Sequence, residues 1–266
     1  MGIKVLILRA PGINRDTDAA AACELAGARA ERVHINRLAD HSLHLRHYGF
    51  LVIPGGFSYG DHLGAGKLLA IDLLHRLGEQ LAAFIADGRP VLGICNGFQV
   101  LIKAGILPGL KGVAPGTENV RPQATLTHNA SGRFECRWVQ VAAEPVSRCI
   151  FTQGMTVPIE VPIAHGEGRL VVRDDTVLDQ LQAGGQIALR YVTTDGSDVT
   201  YPANPNGSVG NIAGLCNPQG NILGLMPHPE DAVLPQQHPR WTREPWRQKG
   251  DGLILFQNAV RYATQL

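Results

Sequence analysis

The chain has 266 residues, 44% of them hydrophobic and 18% charged, enough to bury a full core as one large domain or two small ones. A formal net charge of +1 gives no general electrostatic reason to bind nucleic acid or an anionic membrane, and the arginines are scattered apart from Arg240, Arg243 and Arg247. No apolar run approaches the ~20 residues of a membrane span, and the opening MGIKVLILRAPG lacks a signal-peptide cleavage pattern, so a cytoplasmic location is expected.

KVLILR (4–9) reads as a buried strand, and DTDAAAACELAGA (16–28) as a helix that stops at Gly27. ERVHI (31–35) and FLVIPGG (50–56) are further strands, 63–88 has leucines and isoleucines at helical spacing, and PVLGIC (90–95) runs into the helix NGFQVLIKAG. Strand and helix in alternation imply a parallel sheet covered on both faces, with ligands beyond the carboxyl ends of the strands. Those ends read APGIN, PGGFSYGD and CNG.

After residue 112 the strand-like pieces 133–143, 161–172, 187–195 and 211–217 predict antiparallel additions to the same sheet. NILGLMPHPED (221–231) is one more apolar strand ending in a polar cluster, and 252–266 is a closing amphipathic helix. Between them, the proline- and arginine-rich 233–252 reads as a long ordered loop or an interaction surface. With no internal repeat, residues 1–266 are expected to form a single domain.

Five cysteines, Cys23, Cys95, Cys136, Cys149 and Cys216, make an odd set with no C-x-x-C pair, which argues against a disulfide framework and a zinc knuckle. Cys95 alone stands at a strand-to-helix junction, in G-I-C-N-G. Gly93 and Gly97 permit the sharp turn of a nucleophile elbow, and the helix start after Cys95 supplies a positive dipole end that favours a thiolate. A strand that merely ends in a small apolar residue is the alternative reading of this segment.

A nucleophilic cysteine needs a base. His41, His44 and His47 crowd one loop without partner cysteines or carboxylates at useful spacing, so no metal site is assigned there. His228 lies past an apolar strand in M-P-H-P-E; Pro229 favours extended backbone around it, which projects Glu230 from the same side and near the imidazole. A carboxylate on one ring nitrogen fixes the tautomer and leaves the other to accept the thiol proton. Gly55 and Gly56 allow backbone N–H groups to turn toward the neighbouring strand end, so with the N–H of Asn96 they can form an oxyanion hole. A phosphate loop is disfavoured, because neither G-K-S/T nor G-x-G-x-x-G follows a strand.

GICNGFQ with a later HPE and an earlier PGG resembles the class I (triad) glutamine amidotransferases. PGGFSYGDHLGAGK, PIAHGEGR, TYPANPNGS and MPHPED, in that order, are similar to the glutaminase part of phosphoribosylformylglycinamidine synthases, and the resemblance spans nearly the whole chain. It implies an α/β, flavodoxin-like three-layer sandwich. It also implies a glutaminase with Cys95 as nucleophile, His228 as general base and acid, and Glu230 as the carboxylate that orients His228. The oxyanion hole falls around Gly55, Gly56 and Asn96, and Gln99 falls near bound glutamine. The implied partner is an ATP-dependent synthetase subunit that converts formylglycinamide ribonucleotide to the amidine, with ATP and magnesium on that subunit and room for a small accessory subunit. His165 and Arg169 face the synthetase, line the ammonia route or make a plain turn. The rivals weighed are a stand-alone cysteine hydrolase of similar fold, such as a γ-glutamyl hydrolase or a DJ-1 relative, and a non-catalytic synthetase-binding subunit; the H-P-E segment and the intact Cys95, His228 and Glu230 speak against them.

Overall fold

The computed structural model describes residues 2–110, 122–244 and 247–266. Strands β1 (Lys4–Arg9), β2 (Arg29–His34), β3 (Phe50–Ile53) and β4 (Val91–Ile94) alternate with α1 (Asp16–Leu25), the short α2 (Ile35–Ala39) and α3 (Lys67–Ala86), and α4 (Asn96–Lys103) follows β4. After β5 (Ala124–Thr127) come β6 (Glu135–Ala143), β7 (Ile159–His165), β8 (Arg169–Val172), α5 (Asp175–Ala183), β9 (Ile187–Val192), β10 (Ile212–Cys216), β11 (Ile222–Leu225) and α6 (Leu253–Thr264).

Nine strands form one sheet in the order β2-β1-β3-β4-β11-β10-β9-β6-β7. The first five are parallel and the remaining four join antiparallel, as the sequence implies. The parallel half is apolar because helices cover it: every residue of β3, β4 and β11 is buried. Helix α1 packs on α6 and α3 on α4, giving the two helical layers. Leu69, Leu73, Leu77, Leu81 and Phe84 bury one face of α3 at helical spacing, each contributing about 2 kcal/mol.

Three of the differences from the expectation have a clear local reason. Helix α3 starts at Lys67 rather than 63, because Leu63, Gly64 and Gly66 all have positive φ and cannot continue into a helix. The stretch 161–172 is not one strand. It breaks after His165 at G-E-G, and β8 pairs with β5 in a separate two-stranded sheet. A Cβ on Gly168 would lie 2.4 Å from the His165 imidazole, so the chain turns tightly over that ring. Helix α5 was not anticipated, although its signal is present: the Asp174 carboxylate accepts from Val177 N–H at 3.0 Å as an N-cap.

In 233–252, Glu160 gathers Arg240, Arg247 and His238 around one carboxylate, so this segment is held down; residues 245 and 246 lie outside the described residues. No helix among the described residues is long and apolar enough to cross a membrane.

Candidate active site

Cys95 sits between β4 and α4 with φ 51° and ψ −103°, a region that L-residues rarely occupy. The turn exists because α4 approaches the sheet closely. A Cβ on Gly97 would lie 1.9 Å from Ile53 O, and one on Gly93 would lie 2.5 Å from the Leu101 side chain. Strand β4 hands the chain to the turn through Cys95 N–H, which donates to Leu225 O at 2.8 Å. The Cys95 backbone is therefore fixed by two neighbouring strands and a helix. Cys95 is buried, and its sulfur contacts Ala164 O at 3.7 Å, at the end of β7.

His228 and Glu230 meet as the sequence implies, but by a different backbone path. Pro229–Ala232 form a 3-10 turn with proline at its first position, and the turn rather than extended alternation brings Glu230 back to the ring. Glu230 accepts from His228 Nδ1 at 2.7 Å. Both side chains are buried, and His228 Nε2 and Glu230 Oε2 have no hydrogen-bond partner. Burial alone would lower the imidazole pKa, but the charges of Glu230 and Cys95 outweigh it and hold His228 well above the ordinary histidine range. The Cys95 sulfur is thus near enough to the ring to bear on its charge, and Nε2 is the ring nitrogen free to exchange a proton with it.

The glycine loop after β3 abuts the same imidazole. A Cβ on Gly55 would lie 2.8 Å from His228 Cε1, so only glycine leaves room for the ring. Gly56, at φ 142°, lies against Gly12, Ile13 and Asn14, and Ile13 bridges to it antiparallel. Asn96 opens α4, where the first N–H groups have no helical acceptor. Its side chain organises the surroundings: Oδ1 accepts from Ser58 N–H at 3.2 Å, while Nδ2 donates to Asp61 and to Gln99, each at 2.9 Å. Gln99 is 4% exposed, and its own Nε2 donates to Glu167 O at 2.7 Å. Both ends of its amide are engaged, so Gln99 acts here through Asn96 rather than as a free donor.

Four further residues belong to this neighbourhood; Asp61, Ala164 and Arg15 carried no clear signal in the sequence, whereas His165 stands in the PIAHGEGR motif. Asp61, at φ 53°, accepts from Asn96 and Gly66, and burial raises its pKa. Ala164 covers the sulfur. His165 is 2% exposed and shares Asn129 Oδ1 with Gly168 N–H; burial and then the nearby His228 charge push its pKa down to about 4. Because Oδ1 is an acceptor, His165 carries its proton on Nδ1. Arg15 pairs with Asp231, the residue after Glu230. Arg169, grouped with His165 in the sequence reading, is exposed at the start of β8.

His228, Glu230 and Asp231 offer donor atoms within 4.8 Å of one another. His228 Nδ1 and Glu230 already bond each other, so this donor set fits proton transfer. A cavity of about 630 Å³ lies elsewhere, on the antiparallel half beside Trp138, Tyr201 and Arg240, and Cys95, Asn96, Gln99, His228 and Glu230 do not line it. Of the outer histidines, His41 stacks on His44, and His47 meets His44 edge-on.

Residues 2–263 match the CobB/CobQ-like glutamine amidotransferase domain. The chain is 45% identical over 265 residues to phosphoribosylformylglycinamidine synthase subunit PurQ of Dehalococcoides mccartyi, covering 99% of each chain. It is 50% identical over 240 residues to the protein of the same name from Treponema denticola, covering 87% of this chain and 88% of that one. Among solved structures, a chain of PurLQS from Thermotoga maritima superposes with TM-score 0.73 at 33% identity, covering 98% of this chain and 99% of its own length. The chain belongs to the CobB/CobQ-like glutamine amidotransferase domain family.

Proposed function

We propose that the chain is the glutaminase subunit of phosphoribosylformylglycinamidine synthase, in which glutamine is hydrolysed through a thioester on Cys95. The observation that carries this reading is the strained elbow at Cys95 with the His228–Glu230 pair beside it. His228 Nε2 takes the Cys95 proton, and the thiolate forms a C–S bond to the side-chain amide carbon of glutamine. The carbonyl electron pair moves onto oxygen, which rests on the N–H of Asn96 and the backbone at Gly55 and Gly56. The imidazolium returns its proton to the amide nitrogen as the C–N bond breaks, and ammonia leaves. Water, deprotonated by His228, then attacks the thioester; the C–S bond breaks, glutamate departs and Cys95 regains a proton.

The ammonia is consumed by a synthetase subunit that uses ATP and magnesium to convert formylglycinamide ribonucleotide to the amidine. The names of the PurQ relatives and the Thermotoga maritima complex support such a partner. The test is Cys95→Ala in the complex assembled with that subunit. Glutamine-dependent amidine formation is expected to fall by about 10³-fold or more while the ammonia-dependent reaction persists. Glutamine hydrolysis retained by Cys95→Ala would overturn the mechanism.

A further inference from the structure

We propose that Arg15 and Asp231 are positioning residues for the catalytic triad. Their ion pair holds the turn that carries Glu230 and sets a cation against the carboxylates of that turn, so Glu230 stays seated on His228 Nδ1. The inference rests on the reading of Cys95 as the nucleophile and adds two residues outside the triad to it.

Glu230 uses one oxygen on His228 Nδ1, and its other oxygen is buried without a partner. Beside it in the chain stands a second carboxylate, Asp231, whose N–H donates to His228 O at 3.2 Å and closes the turn. Burial and a second carboxylate this close both disfavour the charged form of Asp231 unless a cation offsets them. Arg15 supplies that cation. Its Nη1 lies 3.4 Å and 3.5 Å from the two Asp231 oxygens, and Asp18 of α1 holds the same nitrogen at 3.5 Å from the opposite side. The groups facing Asp231 are thus Arg15 from the loop after β1, Asp18 from α1, and Glu230 and His228 from its own turn. Burial and then the Glu230 charge push Asp231 up to about 6, with Arg15 acting in the opposite direction.

The backbone points the same way. Arg15 N–H donates to Gly55 O at 3.3 Å, and the place a Cβ on Gly55 would occupy lies 3.4 Å from Arg15 Cγ and 2.8 Å from His228 Cε1. Arg15, the glycine loop and the base therefore meet around one point. Because the Arg15 side chain is 39% exposed, solvent screens its charge, and the expected effect lies at the low end of what a neighbouring charge can do.

The experiment follows alkylation of Cys95 by iodoacetamide in the full chain as a function of pH, read peptide by peptide so that exposed Cys136 does not interfere. Without the Arg15 charge, a carboxylate keeps its proton to higher pH. The imidazolium then loses stabilisation, and the thiolate is lost sooner on acidification. Arg15→Met is expected to move the acid midpoint of the profile up by about one pH unit, and Arg15→Lys to restore most of it. On an Asp231→Asn background, Arg15→Met is expected to leave the midpoint where Asp231→Asn alone puts it. A midpoint unchanged in Arg15→Met, or an equal shift on the Asp231→Asn background, overturns the proposal. If wild-type Cys95 shows no enhanced alkylation over Cys136, the reading of the nucleophile falls instead.

Discussion

Asn96 donates its side-chain amide to Asp61 at 2.9 Å, which ties the first residue of the nucleophile's helix to a loop of left-handed residues after β3. Tyr59, Gly60, Asp61 and Leu63 in that loop all have positive φ, and Leu63 is 82% exposed at its tip. In the proposed mechanism the tie holds the Asn96 N–H that receives the oxyanion, and Asp61 acts only through Asn96. Asp61→Ala is expected to lower kcat for glutamine about 30-fold, equivalent to about 2 kcal/mol, with KM little changed. Steady-state kinetics decide it; an unchanged kcat would remove Asp61 from the site.

Two glycines separate stability from activity. Alanine at Gly97 would put a methyl 1.9 Å from Ile53 O, a backbone atom that cannot step aside. Gly97→Ala is expected to cost about 3 kcal/mol and lower Tm by roughly 6–12 °C. Alanine at Gly55 instead meets the edge of the His228 ring at 2.8 Å, and a side chain can rotate. Gly55→Ala is expected to keep Tm within about 3 °C of wild type while activity falls on the order of 10²-fold, because the ring leaves Glu230. Calorimetry and a glutaminase assay on the same samples check both.

His165 makes stability depend on pH in a defined direction. Its folded-state pKa of about 4 lies below the ~6.5 of an unfolded histidine, so between those values the unfolded chain binds more protons. This contribution is present above pH ~6.5 and is lost as pH falls toward about 4. Going from pH 7 to pH 5 should remove about 2 kcal/mol through this residue alone. His165→Asn, which keeps a donor to Asn129, is expected to be less sensitive by that amount in urea unfolding at the two pH values. Equal slopes for variant and wild type would contradict the assignment.

Glu160 is the anchor of the arginine-rich segment. It accepts from Arg240 at 3.0 Å and 3.1 Å and from Arg247 at 3.4 Å, and it also pairs with buried His238; its backbone N–H donates to Asp251 at 3.0 Å. Glu160→Ala leaves Arg240, Arg247 and His238 with Glu244 as their one remaining shared carboxylate among the described residues. Trypsin cleavage after Arg240 or Arg243 is expected to accelerate about tenfold under native conditions, equivalent to about 1.4 kcal/mol of easier local opening. An unchanged cleavage rate would show that the segment is held by other contacts.

The parallel half of the fold and the chemical pair at its edge were legible because their determinants are close in sequence. Small residues two places either side of Cys95 announce the elbow, and His228 and Glu230 are two residues apart. What escaped depends on distant chain or on backbone sign. Asp61 reaches Asn96 only because its φ is positive, and nothing in F-S-Y-G-D states that. The break of 161–172 was hidden because β7 and β8 are both apolar and alternating; the turn is forced by Gly168 folding over a buried ring. Arg15 meets Asp231 across more than two hundred residues, a proximity that local periodicity does not encode.

β7 is the ninth strand from one edge of the sheet and four places beyond β11, yet Ala164 touches the Cys95 sulfur and Pro162 O accepts from His228 N–H at 2.8 Å. For the far edge to return to the middle, the antiparallel half must roll over the ends of the parallel strands. Both sides of the Cys95–His228 neighbourhood are therefore made by one continuous sheet, and the distance between them is set by curvature accumulated across β10, β9 and β6 rather than by the side chains nearest the sulfur.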